Sequence, residues 1–282
     1  MTSPRRGLPA LFLAGLLLAS PWGAGQAQEV VAPSQSGDSA RGATTITILA
    51  YNIKHGKGND GSIDLERAAR VINSLDPDLV TLQEIDSAVE RTGGVDQGTV
   101  LGELTGMYSV FGAFFDYQGG RYGMAILSKR PFTTHQNHRL PDGLEPRTAL
   151  AVNVEVGDPA RPLTVVGIHL YATAEERYAQ AKRLVEIYRG ATTPIILAGD
   201  FNSTPDSEVI DLFSRSGWHI PNKGEDRLTF RSDDPRREID YIMYRPESRF
   251  EVLEVDVIDE PLVSDHRPVL LQLRLLETDR DQ

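Results

Sequence analysis

The sequence predicts an α/β fold in which two mixed sheets pack face to face with helices outside. Three observations predict it. Apolar runs of strand length recur along the chain, and amphipathic stretches with capping residues lie between some of them. The order strand, helix, strand occurs twice, at 45–85 and 163–200, whereas elsewhere strands follow one another directly and so pair antiparallel.

Strands are expected at 45–53, 78–85, 108–115, 122–128, 148–156, 163–170, 194–200, 239–244, 250–258 and 268–275. Helices are expected at 64–75, 97–105, 174–189 and 207–214. In the first helix Arg67 and Arg70 face outward, while Leu65, Ala68, Ala69, Val71 and Ile72 form an apolar stripe. In the last, Ser207 caps a turn followed by Val209, Ile210, Leu212 and Phe213. Trp218 is read as a core residue. The sheet edge where strands end in loops is where site residues gather.

The chain has 282 residues, of which 40% are hydrophobic and 24% charged, an ordinary globular composition. Arg5-Arg6, the apolar run Leu8 to Ala19 and the small residues up to Ala27 mark residues 1–27 as a secretory signal peptide. That run is shorter than the about 20 residues a membrane-spanning helix needs, so no transmembrane segment is expected in the mature chain. The rival reading of the run is an uncleaved interfacial anchor, and the arginine pair is a weak match to a twin-arginine signal. Residues 28–43, rich in Gly, Ser and Pro, read as a flexible linker, and 44–282 as one domain with a frayed charged tail after Glu277. The expected location is therefore periplasmic or secreted.

There are no cysteines. This excludes disulfides, a lipoprotein acylation site, a thiol nucleophile and Cys-ligated zinc. Net charge is −11, and −13 once the two signal-peptide arginines are removed. Such a surface repels polyanions on average, so nucleic acid is a disfavoured partner. An acidic protein acting on phosphates needs a metal ion to offset that repulsion.

Polar groups interrupt apolar strands at six places. Asn52 ends the first strand and Glu84 the second. His169 lies at the end of Val165-Val166-Gly167-Ile168, and Asp200 and Asn202 follow Ile195-Ile196-Leu197-Ala198-Gly199. Asp240 opens Tyr241-Ile242, and Asp265-His266 precede the last strand. An unpartnered carboxylate at a core edge carries a desolvation cost, so its repetition points to one polar site fed by several strand ends. Oxygen donors without cysteine suit Mg²⁺ or Mn²⁺ and phosphate-ester hydrolysis. On this reading Glu84, Asn52 and Asp265 hold the metal, and Asp200 and Asn202 orient the attacking water. His266 backed by Asp240 is a general base or hydrogen-bond partner, and His169 neutralises phosphate charge or assists the leaving group.

Leu49-Ala50-Tyr51-Asn52, Leu82-Gln83-Glu84, Gly123-Met124-Ala125-Ile126-Leu127-Ser128, His169-Leu170, Gly199-Asp200-Phe201-Asn202, Ile239-Asp240-Tyr241 and Ser264-Asp265-His266-Arg267-Pro268 occur in that order. Together they resemble the endonuclease/exonuclease/phosphatase superfamily, which includes DNase I, apurinic/apyrimidinic endonucleases, inositol polyphosphate phosphatases and neutral sphingomyelinases. The resemblance covers the chain after signal and linker. It implies a four-layer α/β/β/α sandwich and divalent-metal-dependent cleavage of a phosphodiester or phosphomonoester by in-line water attack. Glu84 becomes the principal metal ligand with Asn52 and Asp265 alongside, and His169 lies near the scissile phosphate. Arg147, in Glu145-Pro146-Arg147-Thr148, looks like a phosphate-contacting arginine. Whether Asp200 or His266 takes the water's proton stays open.

Each group has a plainer reading: turn caps for Asn52 and Asn202, surface charge for Glu84, a strand-end carboxylate for Asp240, a satisfied interior histidine for His169, a solvated side chain for Arg147. Their joint placement at strand ends favours a site. His55 lies in a glycine-rich loop that either meets substrate or is solvated. The loop Gln118-Gly119-Gly120-Arg121-Tyr122 supplies Tyr122 as a substrate-rim candidate, and Arg91-Thr92-Gly93-Gly94 is a second such loop. His135, His138 and His219 lack metal-ligand spacing and read as structural or surface residues. The substrate alternatives are a small phosphate ester, DNA or RNA, and a lipid headgroup as in sphingomyelinases. The rival outside enzymology is a catalytically inactive module that binds a phosphate ligand.

Overall fold

In a computed structural model of the protein, residues 44–277 are described. The signal-peptide and linker expectations lie outside the described residues. Strand β1 (Thr44–Asn52) sets the layering by its alternation. Ile46, Ile48 and Ala50 point into the space between the two sheets, and Leu49 and Tyr51 into a separate core beneath helices. Helix α1 (Leu65–Leu75) is capped by Asp64, which accepts from the Arg67 N–H at 2.8 Å. It crosses over to β2 (Leu79–Ser87), which runs parallel to β1. Helix α2 (Gln97–Thr105) leads to the hairpin β3 (Tyr108–Tyr117) and β4 (Gly120–Ser128).

The second sheet begins with β5 (Phe132–Arg139), β6 (Thr148–Val156) and β7 (Arg161–His169). Helix α3 (Ala174–Tyr188) connects β7 to β8 (Ile195–Asp200), its parallel neighbour, and helix α4 (Glu208–Arg215) precedes the antiparallel β9 (Asp240–Arg245). The chain then returns to the first sheet with β10 (Phe250–Val257) and β11 (Val269–Leu275). Strand order is β10-β11-β1-β2-β4-β3 in one sheet and β5-β6-β7-β8-β9 in the other.

Three apolar cores confirm the four layers. One lies between the sheets, one joins α1 and α2 to the outer face of the first sheet, and one joins α3 and α4 to the outer face of the second. Trp218 is buried in the last of these, as expected.

Two expectations need correction. Strand β5 was absent from the sequence reading because Thr133-Thr134-His135-Gln136-Asn137 is polar and exposed throughout. It is an edge strand, and polar side chains on an edge protect its free backbone groups from pairing with other chains, so no apolar alternation marks it. The expected loop 118–122 is shorter than its glycines suggested. Only Gln118 and Gly119 turn, both at positive φ (43° and 79°); Gly120 and Arg121 already lie in β4, which holds Tyr122 as expected. Two left-handed residues are what a tight hairpin turn requires.

This topology positions the site. The parallel pairs β1/β2 and β7/β8 bring Asn52, Glu84, His169 and Asp200 to one edge, although β2 does not stop at Glu84 as expected but bulges there and runs on to Ser87. The antiparallel β9 and β11 start at the same edge, bringing Asp240 and the Asp265-His266 pair to it.

Candidate active site

Backbone irregularities aim the key groups. Glu84 interrupts the β2–β4 register between Gln83 and Ile85 and has φ +60°. A bulge residue in the left-handed region turns its side chain out of the strand's alternation, at a strain of about 1–3 kcal/mol. Asn202 has φ +48°, and its backbone N–H donates to Asp200 Oδ1 at 2.7 Å while its carboxamide donates to the Leu170 carbonyl at 2.9 Å. Gly199 has φ +140°, and a Cβ there would lie 2.1 Å from the Ile168 carbonyl oxygen, so β7 and β8 approach too closely for any other residue.

Asp200 is the hub. It is 1% exposed. Asn52 Nδ2 donates to its Oδ2 at 3.3 Å and to Glu84 Oε1 at 3.2 Å. His169 Nε2 lies 3.4 Å and His266 Nε2 3.7 Å from the same Asp200 oxygen. Burial, followed by the neighbouring Asp240 carboxylate, raises the Asp200 pKa to about 7.

His266 Nδ1 meets Asp240 Oδ2 at 3.0 Å and Oδ1 at 3.2 Å, and both residues are buried. Burial lowers the His266 pKa, but the Asp240 and Asp200 carboxylates outweigh burial and push it up to about 10. His266 is thus an imidazolium between two acids, tilted against the Phe230 ring at 4.8 Å between centroids. His169 goes the opposite way: burial first, then the charges of Arg147 and His266, hold it well below the usual range and neutral. Its Nδ1 is buried and finds no hydrogen-bond partner among the described residues.

Arg147 is 5% exposed and donates from Nη2 to Glu145 at 2.6 Å. Its Nε and Nη1 are buried without a hydrogen-bond acceptor among the described residues, and the guanidinium lies 4.8 Å from the Phe114 ring and 5.4 Å from that of Tyr171. Tyr122 packs edge-on to Phe114 at 5.6 Å and lies within the fields of Glu84 and Arg147. His55 Nδ1 comes to 3.9 Å from Glu84 Oε2, so the loop histidine reaches the site, and burial holds it neutral with its pKa lowered to about 4. His135 is exposed, and His138 and His219 are half-buried.

The sequence model of the endonuclease/exonuclease/phosphatase family matches residues 49–266, spanning every one of these groups. The chain belongs to this family. Over 141 residues it is 30% identical to a UPF0294 protein of Vibrio cholerae serotype O1 (strain ATCC 39315 / El Tor Inaba N16961), a match covering 46% of each chain. The matched region thus spans about half the length of that curated relative. The fold is similar to that of an endonuclease/exonuclease/phosphatase from Beutenbergia cavernae (TM-score 0.66, 22% identity, 82% of this chain and 72% of that one). It is also similar to that of a mannosyl-6-phosphatase from Bacteroides thetaiotaomicron (TM-score 0.64, 19% identity, 81% and 99%).

Members of this family commonly use divalent metals, and the donors present fit such an ion. Glu84, Asp200, Asp240 and Asp265 crowd one sheet edge, and the Glu84 pKa is raised by burial, with the Asp265 charge adding to it. Excess buried negative charge of this kind is a seat for a hard cation. Two groupings compete for it. Ligand atoms of Asp200, Asp240 and His266 lie within 4.8 Å of one another, but these groups already hydrogen-bond among themselves. Glu84 and Asn52 offer oxygens with fewer partners, with Asp265 near them.

Asp265 is not free, however. Lys54 Nζ pairs with its Oδ2 at 2.6 Å. Lys54 escaped the sequence reading. It lies in the loop after Asn52, at φ +48°, and nothing in its composition distinguishes it from an ordinary solvated lysine. Ser264 was quoted only as part of a motif, yet its hydroxyl donates to the Asn52 carbonyl at 2.6 Å and ties β1 to the segment carrying Asp265 and His266.

Proposed function

We propose that the protein is an exported hydrolase of a small phosphate ester, dependent on Mg²⁺ or Mn²⁺. Asp200 carries this reading, because a carboxylate sealed from solvent and contacted from four strand ends is costly unless chemistry uses it. Glu84 and Asn52 would hold the metal with Asp265, in exchange with Lys54. A bound ion supplies charge neutralisation and polarisation of phosphoryl oxygens.

The protein's own groups divide the remaining work. Asp200, with its raised pKa, takes the proton of a water aligned by the Asn202 segment. His266, held as an imidazolium by Asp240, donates hydrogen bonds to the developing phosphoryl charge. Arg147 contributes its two unoccupied guanidinium nitrogens to the phosphate. Neutral His169, with Nε2 3.4 Å from Asp200 Oδ2, orients that carboxylate.

The acidic surface supports a small ester over a nucleic acid. The mannosyl-6-phosphatase shares the fold and, as its name states, acts on a small phosphate ester. Purified protein assayed with Mg²⁺ and with EDTA against nitrophenyl phosphate mono- and diesters, plasmid DNA, sphingomyelin and phosphatidylinositol tests the reading. Metal-dependent release from the small esters, reduced about 10²–10⁴-fold by Asp200→Asn, is expected. Activity unaffected by EDTA, or full activity in a folded Asp200→Asn variant, overturns it.

A further inference from the structure

Beside the phosphate-handling groups lies a cavity of about 150 Å³ lined by Arg91, Phe115, Tyr117, Tyr122 and Glu145. It adjoins the site directly. Arg147 bonds Glu145 at 2.6 Å and lies 5.9 Å from the Tyr122 ring.

Arg91 forms an unusual wall. Its Nε and Nη2 donate to the two oxygens of Asp86 at 2.7 and 2.8 Å, and the Asp86 side chain is fully buried. The Thr92 hydroxyl adds a third bond to the same carboxylate at 3.2 Å. The guanidinium plane is therefore fixed, and it lies 4.9 Å from the Tyr117 ring and 5.3 Å from that of Tyr122. Phe115 contacts both rings, at 6.2 and 5.6 Å between centroids. Arg91 and Arg147 thus both engage Tyr122, each with a carboxylate partner.

The chemistry of this wall selects its ligand. A second phosphate is disfavoured, because Arg91 is neutralised by a two-point bond to Asp86 and Glu145 stands at the rim. A cavity walled by one fixed guanidinium and three aromatic rings remains. A cavity of about 150 Å³ admits one six-membered ring, and planar rings stack on tyrosine and guanidinium planes alike. Glu145, half-exposed, can accept from a ring N–H.

We propose that this cavity is a subsite for a planar ring carried by the phosphoester, an aryl or nucleobase-type group stacked on the Arg91–Tyr117 wall. The proposal rests on the phosphoester reading and names the part of the substrate that reading leaves open.

Calorimetric titration with Mg²⁺ present, using benzylphosphonate and cyclohexylmethylphosphonate, tests it. The two ligands share a phosphoryl group and ring size but differ in planarity. Benzylphosphonate should bind roughly tenfold tighter, because a planar ring gains stacking contacts that a puckered ring of the same size does not. The ratio should fall to about one in Tyr117→Ala and, independently, in Arg91→Lys, each checked for folding by circular dichroism. Equal affinities in the unmodified protein overturn the ring subsite while sparing the phosphoester reading. A ratio unchanged in both folded variants also overturns it. Absence of binding by either phosphonate overturns both.

Discussion

Asp200 and Asp240 face each other in register across β8 and β9, 1% and 2% exposed, and both approach His266. Two buried carboxylates on adjacent strands repel each other, and one imidazolium between them offsets that repulsion. The arrangement gives the two acids different tasks: Asp240 orients and charges the histidine through Nδ1, while Asp200 meets Asn52, His169 and the Nε2 side of His266.

Asp240→Asn should therefore behave as the loss of an orienting group. The amide keeps the shape but no longer holds the imidazolium, so kcat should fall about 10²–10⁴-fold. The effect should sit in kcat rather than KM, since no ground-state contact to substrate is removed. Steady-state kinetics on the best nitrophenyl ester check this. A variant with a normal melting curve and more than half the original kcat would contradict the role given to Asp240.

Proton linkage supplies a second test, in metal-free protein. The His266 pKa is raised from 6.5 when unfolded to about 10 when folded, despite burial, so the folded state binds its proton more tightly. The stabilisation is fully present below about pH 6.5 and is lost as pH rises through about 10. Asp200, raised from 3.8 to about 7 chiefly by burial, acts in the same direction at lower pH. In EDTA, the urea midpoint should fall steadily from pH 6 to pH 10. His266→Gln should flatten the upper part of that slope, and an equally steep slope in the variant would remove His266 as its cause.

Much of this was legible in the chain, because the layers follow from strand alternation and the site from polar residues placed where alternation stops. Asn52, Glu84, Asp200, Asp240 and His266 all showed that signature, and the structure brings them to one edge. Strand β5 and Lys54 did not show it. The first forms by backbone pairing to β6 with no apolar pattern of its own, and the second acquires its role only from a partner, Asp265, 211 residues away. The Arg91–Asp86 fork was hidden for a related reason: its meaning lies in a plane and two aromatic rings, not in spacing.

Glu84 separates activity from stability. Its left-handed backbone and raised pKa both mark a residue held against its preference. Glu84→Gly should relieve the conformational strain and remove a buried charge, against the greater chain entropy of glycine in the unfolded state. Melting in EDTA should stay within about 1 kcal/mol of the original or rise, while metal-dependent turnover disappears. Calorimetric Mg²⁺ titration of both proteins gives a readout independent of turnover. Undiminished Mg²⁺ affinity in Glu84→Gly would remove Glu84 as the principal ligand.

Gly199 should be the position where the smallest change does most harm. At φ +140° no L side chain is comfortable, and its Cβ would fall 2.1 Å from the Ile168 oxygen and 2.9 Å from Gln83 Nε2. The first neighbour is backbone in the parallel β7–β8 ladder and cannot move without breaking that pairing; the second is the fully buried side chain of the residue before Glu84. Gly199→Ala should therefore cost more than about 3 kcal/mol and displace Asp200, the next residue. Urea denaturation measures the first effect. A Gly199→Ala protein of near-normal stability would mean that β7 and β8 are not packed this closely, and with that the approach of His169 to Asp200 would lose its structural basis.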